Sequence, residues 1–434
     1  AYIDGFFAYL NNYLFTKFNF VNGLEFYGSF LGIKQNFRLN VSDDLEYLQN
    51  SDFFRSHRNK LYSIEDYEHL FRSEEKLKPI KLHGSVKTIL SFESIEKIQY
   101  NDLFQDTIET NNHDSDASKS DVIENSVEEC QIISDCISVN TSSSCSSRTS
   151  LTSNTSSYDS ESSIESINDD EDESISTSEG DDIYANIFNF PVQLIGLEKC
   201  KQTLDDLILE NKLNDNEWAS ILMQVIMILI TYQKTFSFTH NDLHTNNVMY
   251  VPTDKKYLYY KYNNITYKVP TYGKIFKIID YGRAIFKCNG HLFCSDSFKQ
   301  GEDASTQYNT EPYFNSNKPR LEPNYSFDLC RLGCSIFDYI VNDIEDLNDM
   351  TKFTDAQKLL ISWCYDDNNI NLLYKSNGAD RYPDFKLYKM IARCVHNHTP
   401  ERQLKNKLFE KLIVNPNEKL KDVIDIDIIP SYTQ

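Results

Sequence analysis

The run His240-Asn241-Asp242-Leu243-His244-Thr245-Asn246-Asn247 and the later run Phe276-Lys277-Ile278-Ile279-Asp280-Tyr281-Gly282 contain the residue types that phosphoryl transfer requires. Moving a phosphoryl group from a nucleotide needs a carboxylate to take the acceptor's hydroxyl proton and hard oxygen ligands for magnesium. Asp242 and Asn247, five apart in a loop, can supply the base and a carbonyl-oxygen ligand. Asp280, at the end of an apolar strand and before a turn glycine, can supply the second metal ligand. A lone His-x-Asp recurs by chance. The ordered set of HxDLxxxN, apolar strand and Asp-aromatic-Gly is much more specific.

Several elements must position these residues. Trp218, Leu222, Val225, Ile228, Leu229 and Tyr232 repeat with helical spacing, which predicts a buried core helix over Asn216–Phe236 leading directly into His240. Phe190–Leu197 reads as a buried strand, and Thr203 as the N-cap of a short helix over Leu204–Leu209. At the N-terminus, Phe6, Phe7, Leu10 and Leu14 predict a helix, followed by a strand over Leu24–Phe30. Residues 41–78 are polar and helical in tendency. Lys87–Phe92 and Ile95–Tyr100 lean towards β structure, and from Tyr325 onward the pattern is mostly helical. No internal repeat is evident.

Together these features resemble the catalytic loop and DFG motif of the protein-kinase superfamily, and in particular the serine/threonine kinases of giant DNA viruses, whose Asn-, Ile-, Tyr- and Lys-rich composition is similar. The resemblance implies a gatekeeper and hinge at Leu197-Glu198-Lys199-Cys200, with backbone groups of Glu198 and Cys200 at the adenine edge and Met249 beneath the ring. It implies that Asp328, in Asp328-Leu329-Cys330-Arg331-Leu332-Gly333, binds backbone amides of the catalytic loop. It also implies that Glu322-Pro323 ends the activation segment, with Arg402 or Arg381 as the ion-pair partner of Glu322. It covers residues 190–410 closely and residues 1–32, as a helix αC and strand four, more loosely.

The chain departs from that family in four places. No GxGxxG is present, and no VAIK-like lysine precedes the N-terminal helix, so those parts are expected before Ala1 or in a truncated lobe. Asp4 is the only acidic residue of positions 1–15, where a glutamate is usual. Asn241 replaces the arginine that reads a phosphorylated activation loop. His244 replaces the lysine two residues after the catalytic aspartate, a variant shared with haspin-like and small-molecule kinases. His240 reads as a packing residue. His244 is open between a phosphate contact and a structural role, and Lys87 reads as an ordinary exposed lysine.

Charge separates the chain into parts. The 434 residues carry a net charge of −22. Residues 106–182 hold 20 acidic residues against Lys119 and Arg148, with 22 serines, leaving only −4 for everything else. Such a stretch cannot bury enough apolar surface to offset its chain entropy and is expected to be disordered. The overall acidity argues against phosphate-driven nucleic-acid binding. The apolar run Trp218–Tyr232 is short for a bilayer span, and no secretory signal opens the chain. Ten scattered cysteines without a CxxC pair read as reduced thiols in a cytoplasmic compartment. Cys288, His291 and Cys294 have a spacing that zinc could use only with a fourth ligand.

The expectation is an α+β, bilobal, protein-kinase-like fold with an incomplete N-lobe and a largely helical C-lobe. Its parts are an N-lobe remnant (1–32), a partly folded insertion (33–105), the acidic segment (106–183), the last N-lobe strand and hinge (184–200) and the C-lobe (201–434). The expected activity is ATP- and Mg²⁺-dependent transfer to protein Ser/Thr hydroxyls. Asp242 acts as base, Asn247 and Asp280 as metal ligands, and Leu197, Glu198, Cys200 and Met249 form the nucleotide site. The alternatives are a binding module without turnover and a small-molecule kinase. The sequence names neither the protein substrate nor a nucleic-acid or membrane partner.

Overall fold

The computed structural model describes residues 2–42, 44–64, 183–210, 212–415 and 420–434. The runs Lys87–Phe92 and Ile95–Tyr100 and the acidic segment 106–182 lie outside the described residues. The architecture is mixed α+β, with small sheets, mostly antiparallel, and several helices. The described residues fall into two compact units: residues 2–39 and 186–434, and residues 40–64 and 183–185.

The larger unit is built on the helix Asp215–Phe236. Its start follows from Asn214, whose side chain accepts the Asn216 and Glu217 amides while Glu217 reaches back to the Asn214 N–H. It ends at Ser237 in the left-handed conformation, φ 49°. Every residue from Trp218 to Gln233 is buried. The helix is long and apolar enough to cross a membrane, but 94% of that window is buried within the protein, so it is a core helix as its periodicity predicts.

Buried polar groups on this helix set what packs against it. Gln224 Oε1 accepts the Phe276 N–H at 2.9 Å and the Asn22 side-chain amide at 3.3 Å. It thereby fixes the strand Lys274–Ile278, which leads to Asp280. That strand pairs antiparallel with Val248–Pro252, in the register Val248↔Ile278, and Gln202–Thr203 forms the third strand. Thr203 caps the helix Leu204–Glu210 by accepting the Asp206 N–H at 3.0 Å.

The N-terminal helix Tyr2–Phe18 inserts Phe7 into a cage of Phe238, Tyr281, Phe286 and Tyr232, with ring centroids 4.2 to 5.2 Å apart. The strand after it runs from Phe26 to Asn40, so the boundary expected after residue 32 falls inside one continuous strand. Its neighbour, Tyr184–Leu197, starts at the expected hinge-strand boundary. The expected burial of Phe190–Leu197 is corrected, because Leu194 is 61% exposed and the rest of that run is half-buried or exposed. Exposed positions along both strands leave part of this sheet in water, whereas the sequence pattern had suggested cover on both faces.

Residues 201–434 are less helical than expected. An antiparallel hairpin, Tyr257–Tyr262 with Ile265–Pro270, turns through Asn263 and Asn264, both at positive φ. That Asn-Asn pair between aromatic-rich runs is a legible hairpin signal. Val423–Asp425 adds a parallel strand to the hairpin. A second hairpin, Ile285–Cys288 with His291–Cys294, sets His291 opposite Cys288 but Cys294 opposite Ile285. Among the described residues no group of three or more His, Cys, Asp or Glu gathers as a metal site. The helix Phe327–Ile340 meets Asp355–Trp363 at Gly333, where a Cβ would come within 2.9 Å of the Trp363 Cβ.

In the smaller unit, Ile183 accepts the Val41 N–H and donates to Ser42 Oγ, both at 2.9 Å. The short helices Leu45–Gln49 and Asp52–His57 match the helical tendency of this stretch, and Tyr62 stacks on Phe54 at 4.3 Å.

Candidate functional site

The loop after the core helix is held from below by one carboxylate. Asp328, in the first turn of Phe327–Ile340, accepts the backbone N–H groups of His240 and Asn241 at 2.9 Å each. This is the contact expected of Asp328. It is fully buried, and burial pushes its carboxyl above the ordinary range against the pull of His240 and the two amides.

His240 locks the loop to the neighbouring strand. Its Nε2 lies 2.9 Å from the Ile279 carbonyl and its Nδ1 3.3 Å from the Asp242 N–H, which requires Nε2 to carry the proton. The packing role assigned to it therefore stands. Asn241 sits at φ 65°, donates to the Arg283 carbonyl at 2.9 Å and accepts the Tyr308 hydroxyl at 2.7 Å. Asparagine tolerates that left-handed backbone better than arginine does.

Asp242 is four-fifths buried by side chain and held at both oxygens. The Tyr388 hydroxyl donates to Oδ1 at 2.6 Å, and Arg283 Nη1 lies 3.7 Å from Oδ2. Burial pushes its carboxyl up, but Arg283, Arg331 and the Tyr388 hydrogen bond together bring it below its usual range. His244 is driven down to about 4, first by burial and then by the Arg331 charge, so it is a neutral imidazole at pH 7. Asn247 spans the loop, donating from Nδ2 to the Asp242 carbonyl at 3.0 Å. Its own carbonyl accepts the Ile279 N–H at 3.0 Å.

These bonds bring Asp242, Asn247 and the Asp280 turn together. Asp280 is exposed, at φ 61°, with Oδ1 3.3 Å from the Gly282 N–H. Tyr281, next in the chain, is turned fully inward, where its hydroxyl donates to the Ile278 carbonyl at 2.5 Å and accepts from Asn11 at 2.7 Å. Asp4 Oδ1 accepts the Tyr281 N–H at 3.0 Å. Burial raises the Asp4 carboxyl against the pull of that amide, and the Asp280 charge adds to the rise.

At the expected hinge, the Glu198 N–H is taken by the Glu25 carbonyl at 3.0 Å. Neither the Glu198 carbonyl nor the Cys200 N–H has a hydrogen-bond partner among the described residues. The Glu198 carboxylate is bound to Lys277, a 98%-buried lysine that also donates to the Gly23 carbonyl at 2.6 Å. Met249 lies directly opposite Lys277 in the sheet, so the two share the face on which Glu198 sits. Leu197 packs against the core as a half-buried side chain.

Asn247 Oδ1 accepts from no group among the described residues, and Asp280 Oδ2 is likewise uncommitted. Two such oxygens fit Mg²⁺, which takes one or two side-chain ligands and completes its shell with water and phosphate. One expectation is overturned. Glu322 pairs with Arg320 and accepts from Thr310, not with Arg402 or Arg381. Arg402 is bound to Asn397, and Arg381 donates to the Asn371 carbonyl at 2.7 Å. A partner two residues away meets Glu322 at less entropic cost than a distant one.

Asp4, Arg283, Arg331 and Tyr388 were not assigned from sequence. Only Asp4 left a trace, as the single acid of its helix. Beside the site, Phe298, Tyr308, Tyr313, Lys318, Arg320 and Arg393 line part of a cavity of about 500 Å³. The Tyr308 hydroxyl that holds Asn241 joins this cavity to the loop.

No protein-family model matches the chain. Over 247 residues it is 26% identical to the uncharacterized protein 098R of Invertebrate iridescent virus 6. The match covers 53% of this chain and 41% of that protein, so the chain spans well under half the length of its viral relative.

Proposed function

We propose that this chain is a protein-kinase-like phosphotransferase with a bilobal fold, acting on protein Ser/Thr hydroxyls. The observation that carries the reading is the grip of Asp328 on the His240 and Asn241 amides. It orients a loop whose Asp242 and Asn247 are stitched to the turn bearing Asp280. ATP with Mg²⁺ supplies the phosphoryl group and neutralises its charge. Asp242, kept ionised, orients the acceptor hydroxyl and takes its proton. Asn247 and Asp280 offer the metal oxygen ligands. The Glu198 carbonyl and Cys200 N–H offer the adenine edge a matched acceptor and donor, with Leu197 and Met249 as apolar walls. Catalysis is then positioning and electrostatics. The viral relative supports action in a virus-infected cell.

A second reading, a binding module without turnover, is favoured by the engagement of both Asp242 oxygens. One experiment separates the two. ATP should raise the melting temperature in a Mg²⁺- or Mn²⁺-dependent way, and Asp280→Ala should abolish the metal-dependent part. Radiolabel transfer to a Ser/Thr substrate mixture should be lost in Asp242→Asn. Nucleotide binding without transfer by the wild type would establish the binding module, and an unchanged metal-dependent shift in Asp280→Ala would remove Asp280 from the site.

A further inference from the structure

The cavity beside Tyr308 is positive in an otherwise acidic chain. It measures about 500 Å³ and is walled in part by Lys318, Arg320 and Arg393, with no carboxylate among the described residues that line it. In a chain of net charge −22, three cations around one hollow concentrate positive potential there.

The cations are held in different ways. Arg393, in the last turn of the helix Lys386–Cys394, donates from Nη1 to the Lys389 carbonyl at 2.7 Å and from Nη2 to the Thr306 carbonyl at 3.0 Å. Those bonds fix the guanidinium and leave it with spare N–H groups and no carboxylate partner among the described residues. Lys318 Nζ has no partner among the described residues, and neither do the side chains of Gln300 and Ser305, which line the same cavity. Arg320 stacks on Phe314, its Cζ 4.9 Å from the ring centre, and shares its charge with Glu322. The carboxylates bordering the lining are occupied: Glu322 accepts from Thr310 and Arg320, and Asp296 accepts the Tyr313 hydroxyl at 2.9 Å.

We propose that this cavity is a binding site for a phosphomonoester group, gripped by Lys318 and Arg393 and completed by the Gln300 amide and the Ser305 hydroxyl. Such a group carries about −1.5 to −2 charge at pH 7 and three strong acceptor oxygens, so it calls for several donors around net positive charge. A carboxylate brings one charge and two oxygens and would leave part of this donor set unmet. A guanidinium already oriented by two backbone carbonyls loses little freedom on binding. The site goes beyond the phosphotransfer reading, because it needs neither nucleotide nor metal. Tyr308 forms one wall, and its hydroxyl donates to Asn241 at 2.7 Å, so only that side chain separates the cavity from the loop that carries Asp242. The phosphate can arrive on a phosphorylated polypeptide or as the free ion.

The test uses the full chain and a fluorescein-labelled hexapeptide of glycine and serine with one phosphoserine, followed by fluorescence anisotropy without nucleotide or divalent metal. The phosphopeptide should bind saturably, at least about tenfold more tightly than its unphosphorylated form. Lys318→Ala should weaken it by about tenfold or more, as the loss of a charge-assisted hydrogen bond does, and Arg393→Gln should do the same. Lys411→Ala, which removes a cation that does not line the cavity, should leave the affinity unchanged. Lys318 makes no side-chain bond whose loss could unfold the protein, so it decides the matter even if Arg393→Gln misfolds. Competition with inorganic phosphate assigns the source: displacement at the dissociation constant of the peptide makes the free ion the ligand, and displacement only far above it makes the ligand a phosphorylated polypeptide. No saturable binding, equal binding of the unphosphorylated peptide or of one with aspartate in place of phosphoserine, or unchanged affinity in Lys318→Ala overturns the proposal. Because no turnover is read, an inactive wild type would count against the phosphotransferase reading while this site is still decided by binding.

Discussion

The Asp4 carboxylate accepts the Tyr281 backbone N–H at 3.0 Å, so the first turn of the N-terminal helix is bonded to the residue that follows Asp280. The side chain of Tyr281 is meanwhile held by Asn11 of the same helix. The angle at which Asp280 is presented is therefore set by a helix some 270 residues away in sequence. Asp4→Ala removes the backbone bond and leaves the Phe7 cage intact. The expected outcome is a small change in the melting temperature of the free protein and a marked loss of the Mg²⁺-dependent ATP shift. Asp4→Asn retains an acceptor oxygen and should fall between. Scanning fluorimetry with and without Mg²⁺–ATP checks this.

Asp328→Ala would strand two buried amides at once. Each orphaned donor costs about 1–3 kcal/mol, so the variant should lose roughly 2–6 kcal/mol of unfolding free energy. Asp328→Asn keeps one acceptor and should lose less. Urea unfolding followed by Trp fluorescence measures both. Unchanged midpoints would show that the loop does not depend on this carboxylate.

Asn241 fills its hydrogen bonds with the Arg283 carbonyl and the Tyr308 hydroxyl and has no cation with which to read a phosphate. Transfer activity should therefore be indifferent to phosphorylation between Arg283 and Glu322. Phosphatase treatment before assay should change the rate by less than about tenfold, or 1.4 kcal/mol in barrier. A larger loss would mean that another group reads the phosphate.

His244 makes stability depend on pH. Its folded value of about 4 lies below the ordinary 6.5, so the unfolded chain binds a proton that the folded chain refuses. Stability is complete above about pH 6.5 and declines as pH falls towards 4, by about 2 kcal/mol at pH 5. His398, also lowered, first by burial, adds to the same slope. His244→Gln should flatten the decline between pH 7 and pH 5, measured as denaturant midpoints at each pH.

Local pattern alone was sufficient for the core helix Asp215–Phe236, the Thr203 cap and the N-terminal helix, whereas the grip of Asp328 on the loop was implied by the family resemblance. Period 3.6 and capping chemistry act over a few residues, and the His-x-Asp loop and its buried aspartate are short motifs in a set order. Tertiary structure alone decided which charges surround Asp242. Tyr388 lies 146 residues beyond it, and Arg331 and Arg283 converge from two other elements. Nothing in their spacing encodes that meeting, because electrostatic coupling depends on distance and burial in the folded chain. The same limit explains Glu322, where a distant arginine was expected and the adjacent Arg320 is the partner. It also explains Leu194, whose apolar character implied burial that its sheet does not provide. Sequence determined which residues could do chemistry; packing determined the charges against which they would do it.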